Sequence, residues 1–318
     1  MLKPVRFVPR NTKVPFSGLR KYAFALSALM VLGSFLSVAM MGLNFGIDFK
    51  GGIVIEIRTE GPADVSQLRG ELGGLSLGDV SIQEFGEPNE VLIRVQRQEG
   101  EEREQIAAID KIKSTLGDSV EYRRTEFVGP TVGAELIEAG IWAVVLALLS
   151  ILVYVWFRFE WQFSLAAIAA LVHDVVTTIG LFALIQHEFN LATVAAVLTI
   201  AGYSINDTVV IFDRVRENLR RYKTMELADL LDLSNNETLS RTVMTSGTTL
   251  LALFAIYFFG GPVLADFALA LIWGIVVGTY SSLFVAVPLL LYTGVRRGGD
   301  EEQDESGLQM PEYERTEH

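Results

Sequence analysis

Six apolar stretches stand out along the chain: Tyr22–Leu43, Ala139–Phe157, Ser164–Ile185, Leu191–Phe212, Val243–Phe259 and Phe267–Tyr292. A helix rises about 1.5 Å per residue, so a hydrocarbon core of about 30 Å needs about 20 residues. Five stretches meet or approach that length. The fifth, Val243–Phe259, is short, but Ser234-Asn235-Asn236-Glu237 has the form of a capping box and predicts an earlier start for its helix. The first stretch is too long for a removable signal and lacks a small-residue cleavage pattern, so it reads as a permanent anchor.

Between the first two stretches the pattern changes. Period-two alternation in Ile53-Val54-Ile55-Glu56-Ile57-Arg58 and in Val91-Leu92-Ile93-Arg94-Val95 predicts strands. Apolar residues three and four apart at Ile106, Ile109, Ile112 and Leu116 predict a helix. The full reading is strand Ile47–Thr59, helix Ala63–Leu72, strand Asp79–Phe85, strand Glu90–Gln96, helix Glu102–Leu116 and strand Ser119–Phe127. This βαββαβ order is the ferredoxin-like, α+β arrangement. Its expected apolar face is Ile53, Ile55, Ile57, Val91, Ile93, Ile106 and Ile109. No GxGxxG or GxxxxGK[ST] phosphate loop occurs in it. The predicted fold class is therefore a membrane all-α bundle of six transmembrane helices with an extracytoplasmic ferredoxin-like domain between helices 1 and 2.

Charge gives this arrangement a direction. The chain has 318 residues, half of them hydrophobic and a fifth charged, with a net charge of −12. Eight acids against the single base Arg315 fall in Asp300–His318, which reads as a solvated tail without fixed structure. Lys3, Arg6, Arg10, Lys13, Arg20 and Lys21 precede the first stretch with no acid among them. Arg158, the Arg214–Arg241 loop and Arg296-Arg297 then share that side, and the short loops Gln186–Asn190 and Gly260–Pro262 carry no Lys or Arg. The positive-inside rule puts both termini in the cytoplasm. The expected division is a basic cytoplasmic segment at 1–21, a first transmembrane helix at 22–43, a periplasmic domain at 44–135, a five-helix bundle at 136–292 and an acidic cytoplasmic tail at 293–318.

Ionisable residues inside spans cost about 2.5–3.5 kcal/mol even on insertion scales, so they carry information. Asp174 lies near the middle of span three. Asp207 lies seven residues before Arg214, about 10 Å above the cytoplasmic boundary. Arg241 is far enough into its helix to look toward that depth. Each also has a plainer reading: Arg241 snorkels to the surface, Asp207 clamps helices beside Asn206 and Ser204, and Asp174 bonds locally to Thr177 or Thr178. Asp266 reads as a first-turn acid favoured by the helix dipole. Gly202, Ser246, Gly247, Thr248, Gly274, Gly278 and Ser282 are small residues that let helices approach closely. With no cysteine, three unpaired histidines (His173, His187, His318) and no GxSxG, neither a hydrolytic site nor a metal site is read. A titratable carboxylate with an arginine partner suits an ion-driven transporter or motor.

Several motifs carry a resemblance. Asn44-Phe45-Gly46-Ile47-Asp48-Phe49-Lys50-Gly51-Gly52 marks the exit from span one, and Val128-Gly129-Pro130-Thr131-Val132-Gly133 the return. Phe157-Arg158-Phe159-Glu160, Val172-His173-Asp174, Ser204-Ile205-Asn206-Asp207-Thr208-Val209-Val210-Ile211-Phe212-Asp213-Arg214-Val215-Arg216-Glu217-Asn218, Ser240-Arg241-Thr242 and Thr245-Ser246-Gly247-Thr248-Thr249 follow in order. From about Tyr22 to Tyr292 the chain resembles the SecD/SecF family of bacterial export proteins, related in design to the resistance-nodulation-division transporters. The resemblance implies a non-enzymatic subunit of the Sec pathway in the inner membrane. Such subunits pair with SecD, associate with the SecYEG channel, SecA, YajC and YidC, and act on a translocating preprotein. It implies no cofactor and no nucleic acid. The coupling ion is H+, with Na+ in some relatives. Carried over by motif, the proton pathway matches Asp207 and Arg241, with Asp174 as a further member. The domain connections match Gly46, Gly51, Gly52, Gly129 and Gly133. A small-molecule or lipid exporter of the same architecture is the alternative.

Overall fold

The computed structural model describes residues 9, 12–78, 80–98, 100, 102–128 and 130–295. The acidic tail, the Arg296-Arg297 pair and Gly129 lie outside the described residues. Among the described residues, six helices are long and apolar enough to cross a membrane. They are α1 (Phe16–Met41), α5 (Pro130–Arg158), α6 (Trp161–Ile185), α7 (Leu191–Arg221), α8 (Leu227–Phe259) and a last span made of α9 (Gly261–Ser281), a π-helical turn (Ser282–Ala286) and α10 (Val287–Thr293). The π turn has a local cause. Pro288 has no N–H to give the carbonyl of Phe284, so the regular ladder cannot pass through it.

Most spans begin or end outside the apolar stretches, because amphipathic turns extend them. The expected helix start at Ser234 is incorrect: α8 begins at Leu227, and Ser234 sits inside it, donating to the carbonyl of Leu230 at 2.8 Å. Leu230 and Leu231, both fully buried, reward the extra turns. The helix start of α1 is held from a distance instead. Asp232 Oδ1 on α8 accepts from the backbone N–H of Ser17 at 2.7 Å, and Asn236 exchanges two hydrogen bonds with the backbone of Val14. α1 then packs on α6 through Ser34, Ser37 and Gly180, where a Cβ at Gly180 would come within 2.6 Å of the Ser34 backbone.

Between α1 and α5 the chain builds a four-stranded antiparallel sheet. Its elements are the short helix α2 (Ile47–Lys50), β1 (Gly52–Thr59), α3 (Val65–Gly73), β2 (Val80–Phe85), β3 (Glu87–Gln96), α4 (Glu102–Leu116) and β4 (Val120–Val128), with spatial order β2-β3-β1-β4. The expected strand over Ile47–Thr59 is two elements rather than one. Gly51 and Gly52 adopt φ of 73° and 141°, which breaks the chain between α2 and β1. β1 and β4 leave the sheet side by side, Gly52 opposite Val128.

Ile53, Ile55, Ile57, Val91 and Ile93 pack against α3 and α4 as the pattern predicts. Ile106 does not join them: it is 50 % exposed. Ile109 packs against this core half-buried, and the buried stripe of α4 is Gln105, Ala108, Ile112 and Leu116, the last two as the spacing predicts. Gln105 turns the helix this way because its side chain donates to the carbonyl of Gln98 and accepts from the Gln98 N–H.

Candidate functional site

Helical spacing sets the site. On α7, Ile200, Ser204, Thr208 and Ile211 share one face, and α9 lies against it because Gly274 and Gly278 carry no Cβ. A Cβ at Gly274 would come within 2.3 Å of the Ile200 side chain, and one at Gly278 within 3.2 Å of Ser204. The close approach lets short hydroxyl side chains reach across helices.

Asp174 on α6 is fully buried at the meeting of three helices. Its Oδ2 accepts from Ser204 Oγ of α7 at 2.6 Å and from Ser281 Oγ of α9 at 2.8 Å; its Oδ1 faces His173 Nδ1 at 2.9 Å. The local bond to Thr177 or Thr178 is not what holds this carboxylate. Both threonines donate to the Asp174 backbone carbonyl instead. Both carboxylate oxygens therefore have partners, whereas His173 Nε2 is buried without one.

Asp207 lies one turn further along α7, buried at 4 % exposure, and among the described residues its Oδ2 has no hydrogen-bond partner. Ser246 on α8 is its hydroxyl neighbour and is itself joined to Thr279 of α9 at 2.7 Å. Arg241 on α8 is exposed and makes no ion pair with Asp207 among the described residues. Below Asp207, Thr208 and Ser282 share a hydrogen bond of 2.8 Å at the π turn, and Asn235 of α8 donates to the Leu283 carbonyl there at 3.1 Å. Sequence reasoning named Asp174, Asp207 and Arg241 but not the roles of Ser281, Thr208, Thr279 or Asn235. Their only signal is a polar side chain in an apolar helix.

The glycines of the domain connections play two different parts. Gly51 and Gly52 supply positive φ. Gly46 and Gly133 supply space: a Cβ at Gly133 would come within 2.3 Å of the Phe49 carbonyl oxygen, and one at Gly46 within 2.5 Å of Glu188. Gly133 lies inside α5, pressed against α2. The loop joining α6 and α7 grips this region. Gly46 N–H donates to Phe189 O and Phe189 N–H to Asn44 O, while Arg94 of β3 is ion-paired with Glu188. Asp266 is not in the first turn of α9. It lies in the second, where its carboxylate bonds His187 Nε2 at 2.7 Å and Asn190 Nδ2 at 3.2 Å. The Asp266 hydrogen bond raises the pKa of His187 above its ordinary value, against partial burial and the charge of Arg94.

Two family descriptions match the chain: "Protein export membrane protein SecD/SecF, C-terminal" over residues 108–296 and "SecD/SecF GG Motif" over residues 36–63. The chain is 45 % identical to the protein translocase subunit SecF of Cereibacter sphaeroides, covering 96 % of this chain and 97 % of that one. It belongs to the SecD/SecF family. The protein of the same name from Desulfurispirillum indicum is 46 % identical over 88 % of this chain and 91 % of its own. A crystal structure of SecDF, described as a translocon-associated membrane protein from Thermus thermophilus, superposes with a TM-score of 0.78 at 38 % identity over 90 % of this chain. That solved SecDF chain is much longer: this chain spans about two fifths of it, 39 %. The alternative of a small-molecule exporter gains no support from these SecD/SecF relatives, which are named as translocase subunits.

Proposed function

We propose that this chain is the SecF-type half of a proton-driven protein-export motor, completed by a SecD-type second half. Family membership supports the export role, and the SecDF chain of Thermus thermophilus, more than twice as long, supports a second half as partner. SecYEG with SecA, and YajC and YidC beside them, are the machinery such a motor would serve; the moving preprotein would be its load. The Lys/Arg distribution supports an inner-membrane orientation with both termini cytoplasmic and the sheet domain outside. The strand order β2-β3-β1-β4 with α3 and α4 on one face supports the ferredoxin-like reading of that domain.

The observation that carries the coupling is the contrast between two buried carboxylates. Asp174 has both oxygens satisfied by three helices and acts as a fixed tie along the route. Asp207 keeps one oxygen without a partner, so it can take up a proton without breaking an existing bond. Desolvation favours a neutral acid and a nearby guanidinium favours the anion, so moving Arg241 relative to Asp207 would switch the proton on and off. Each proton is worth about 2.3 kcal/mol per 100 mV of membrane potential. The same design serves Na+ if the anion binds it. No hydrolytic step is required of the chain.

Asp207→Asn tests this reading. The amide nearly preserves size and hydrogen bonding, so assembly with the partner subunit should remain normal. Gradient-dependent completion of precursor translocation in membrane vesicles should fall at least tenfold. Arg241→Lys keeps the charge but loses the planar fork, and should impair less. Undiminished gradient-dependent export by Asp207→Asn would make this residue a clamp and leave Asp174 as the titrating group.

A further inference from the structure

Two cavities meet at the base of the sheet domain. The upper one, of about 960 Å³, lies between the open face of the sheet and the chain leaving α1, and Lys50, Arg94, Arg97 and Asn44 line it. The lower one, of about 320 Å³, is a slot between α5 and the α6–α7 pair, lined by Ile137, Gly140, Val144, Ile179 and Val197 with almost no polar surface. Phe45 lines both. Its ring stands edge-on to Phe49 at 5.6 Å and to Phe189 at 6.1 Å, so the step from polar chamber to apolar slot occurs across one aromatic cluster. Both volumes fall within the range of about 300–1,000 Å³ typical of ligand pockets.

Among the described residues that line the upper chamber, the cations Lys50, Arg94 and Arg97 outnumber the acid Glu188. Glu188 is ion-paired with Arg94, which Asp48 and Asp266 also neighbour. Among the described residues neither Lys50 nor Arg97 has an ion pair, and both are exposed. The slot below opens beside α5, the most apolar span and one with none of its most apolar window buried inside the chain. A cationic chamber directly above an apolar slot, at the end of the bundle that carries the sheet domain, has the shape and polarity of one kind of molecule.

We infer that this paired cavity binds an anionic glycerophospholipid from the leaflet next to the sheet domain, its phosphate beside Lys50 and Arg97 and an acyl chain between α5 and α7. The site uses neither Asp207 nor Arg241, so it stands or falls independently of the coupling reading. A lipid there would fill the gap between the span that returns from β4 and the helices that hold the buried carboxylates.

Native mass spectrometry of the purified full chain, delipidated and titrated with dioleoyl phosphatidylglycerol or dioleoyl phosphatidylcholine, tests the inference. Each cation near a membrane surface favours an anionic lipid about fivefold, so the wild type should retain phosphatidylglycerol about tenfold or more over phosphatidylcholine. Lys50→Gln with Arg97→Gln, both exposed positions, should bring the two lipids to near parity. Val144→Trp and, separately, Gly140→Leu narrow the slot and should reduce phosphatidylglycerol retention with the cations intact. Inorganic phosphate should not compete. Equal retention of the two lipids by the wild type, or full retention by the double Gln variant and both slot variants, would overturn the site. Competition by phosphate alone would mean a headgroup-sized anion site without the acyl slot, and would overturn it as well.

Discussion

A side chain inside a bilayer is judged by what its polar atoms meet, and here two acids on neighbouring helices meet different things. Asp174 is enclosed by Ser204, Ser281 and His173, so its position is over-determined; Asp207 leaves Oδ2 without a partner among the described residues. Both acids were legible in the sequence because a carboxylate within an apolar stretch is costly enough to stand out. Their partners were not. A serine or threonine in a helix has a default acceptor, the carbonyl four residues back, and Thr177, Thr178, Ser234 and Thr245 use a carbonyl of the preceding turn. Only the packing of α6, α7 and α9 shows that Ser204 reaches Asp174 instead, and that Ser281 reaches it as well as the Gly278 carbonyl. His187 carries a prediction at this scale. Its hydrogen bond to Asp266 raises its pKa, so folding favours the protonated ring. The stability this contributes is fully present below the ordinary histidine value of 6.5 and is lost as pH rises through the raised one. Melting temperatures of the purified chain should therefore fall with pH through the neutral range, and Asp266→Asn should flatten that dependence. A wild-type profile no steeper than the variant's would mean the contact does not couple to folding.

Helices and strands were legible to different degrees, and the reason is how far their signals reach along the chain. Spans are written in composition, and all six are present where apolar residues run on. Their ends are written in long-range contacts. The Ser234 pattern has the letters of a cap, yet the buried Leu230 and Leu231 carry α8 back through it. α4 kept Ile109, Ile112 and Leu116 toward the core but not Ile106, because Gln105 satisfies the Gln98 backbone and takes the core position beside it. The strands kept their faces because a period of two leaves no intermediate rotation. Ile55, fully buried in β1 opposite Ile93, tests that element. Ile55→Ala should cost about 2–5 kcal/mol. Hydrogen exchange of the full chain should then show β1 and β3 amides opening at least about 30-fold faster, with α6 and α7 unchanged. Unchanged exchange in β1 would mean the side chain is not part of the core.

At the scale of the whole molecule, orientation is the property most open to a direct test, since the chain has no cysteine to interfere. An impermeant thiol reagent applied to intact spheroplasts should label Ser114→Cys, on the outer surface of α4, and should reach Thr224→Cys, between α7 and α8, only after lysis. The opposite pattern would invert the assignment of sides. The same sidedness gives weight to how the sheet domain is mounted. Its two covalent connections leave from neighbouring strands, Gly52 opposite Val128, and neighbouring strands lie about 5 Å apart. β1 alone, with eight residues, rises about 26 Å. A sideways pull at the far end of β1 would act on that footing through an arm about five times the strand spacing. The footing is α2 wedged against Gly133 of α5, with the Arg94–Glu188 ion pair as its side stay. Torque passing between the bundle and the sheet domain would therefore concentrate on a glycine contact too tight for a single methyl group.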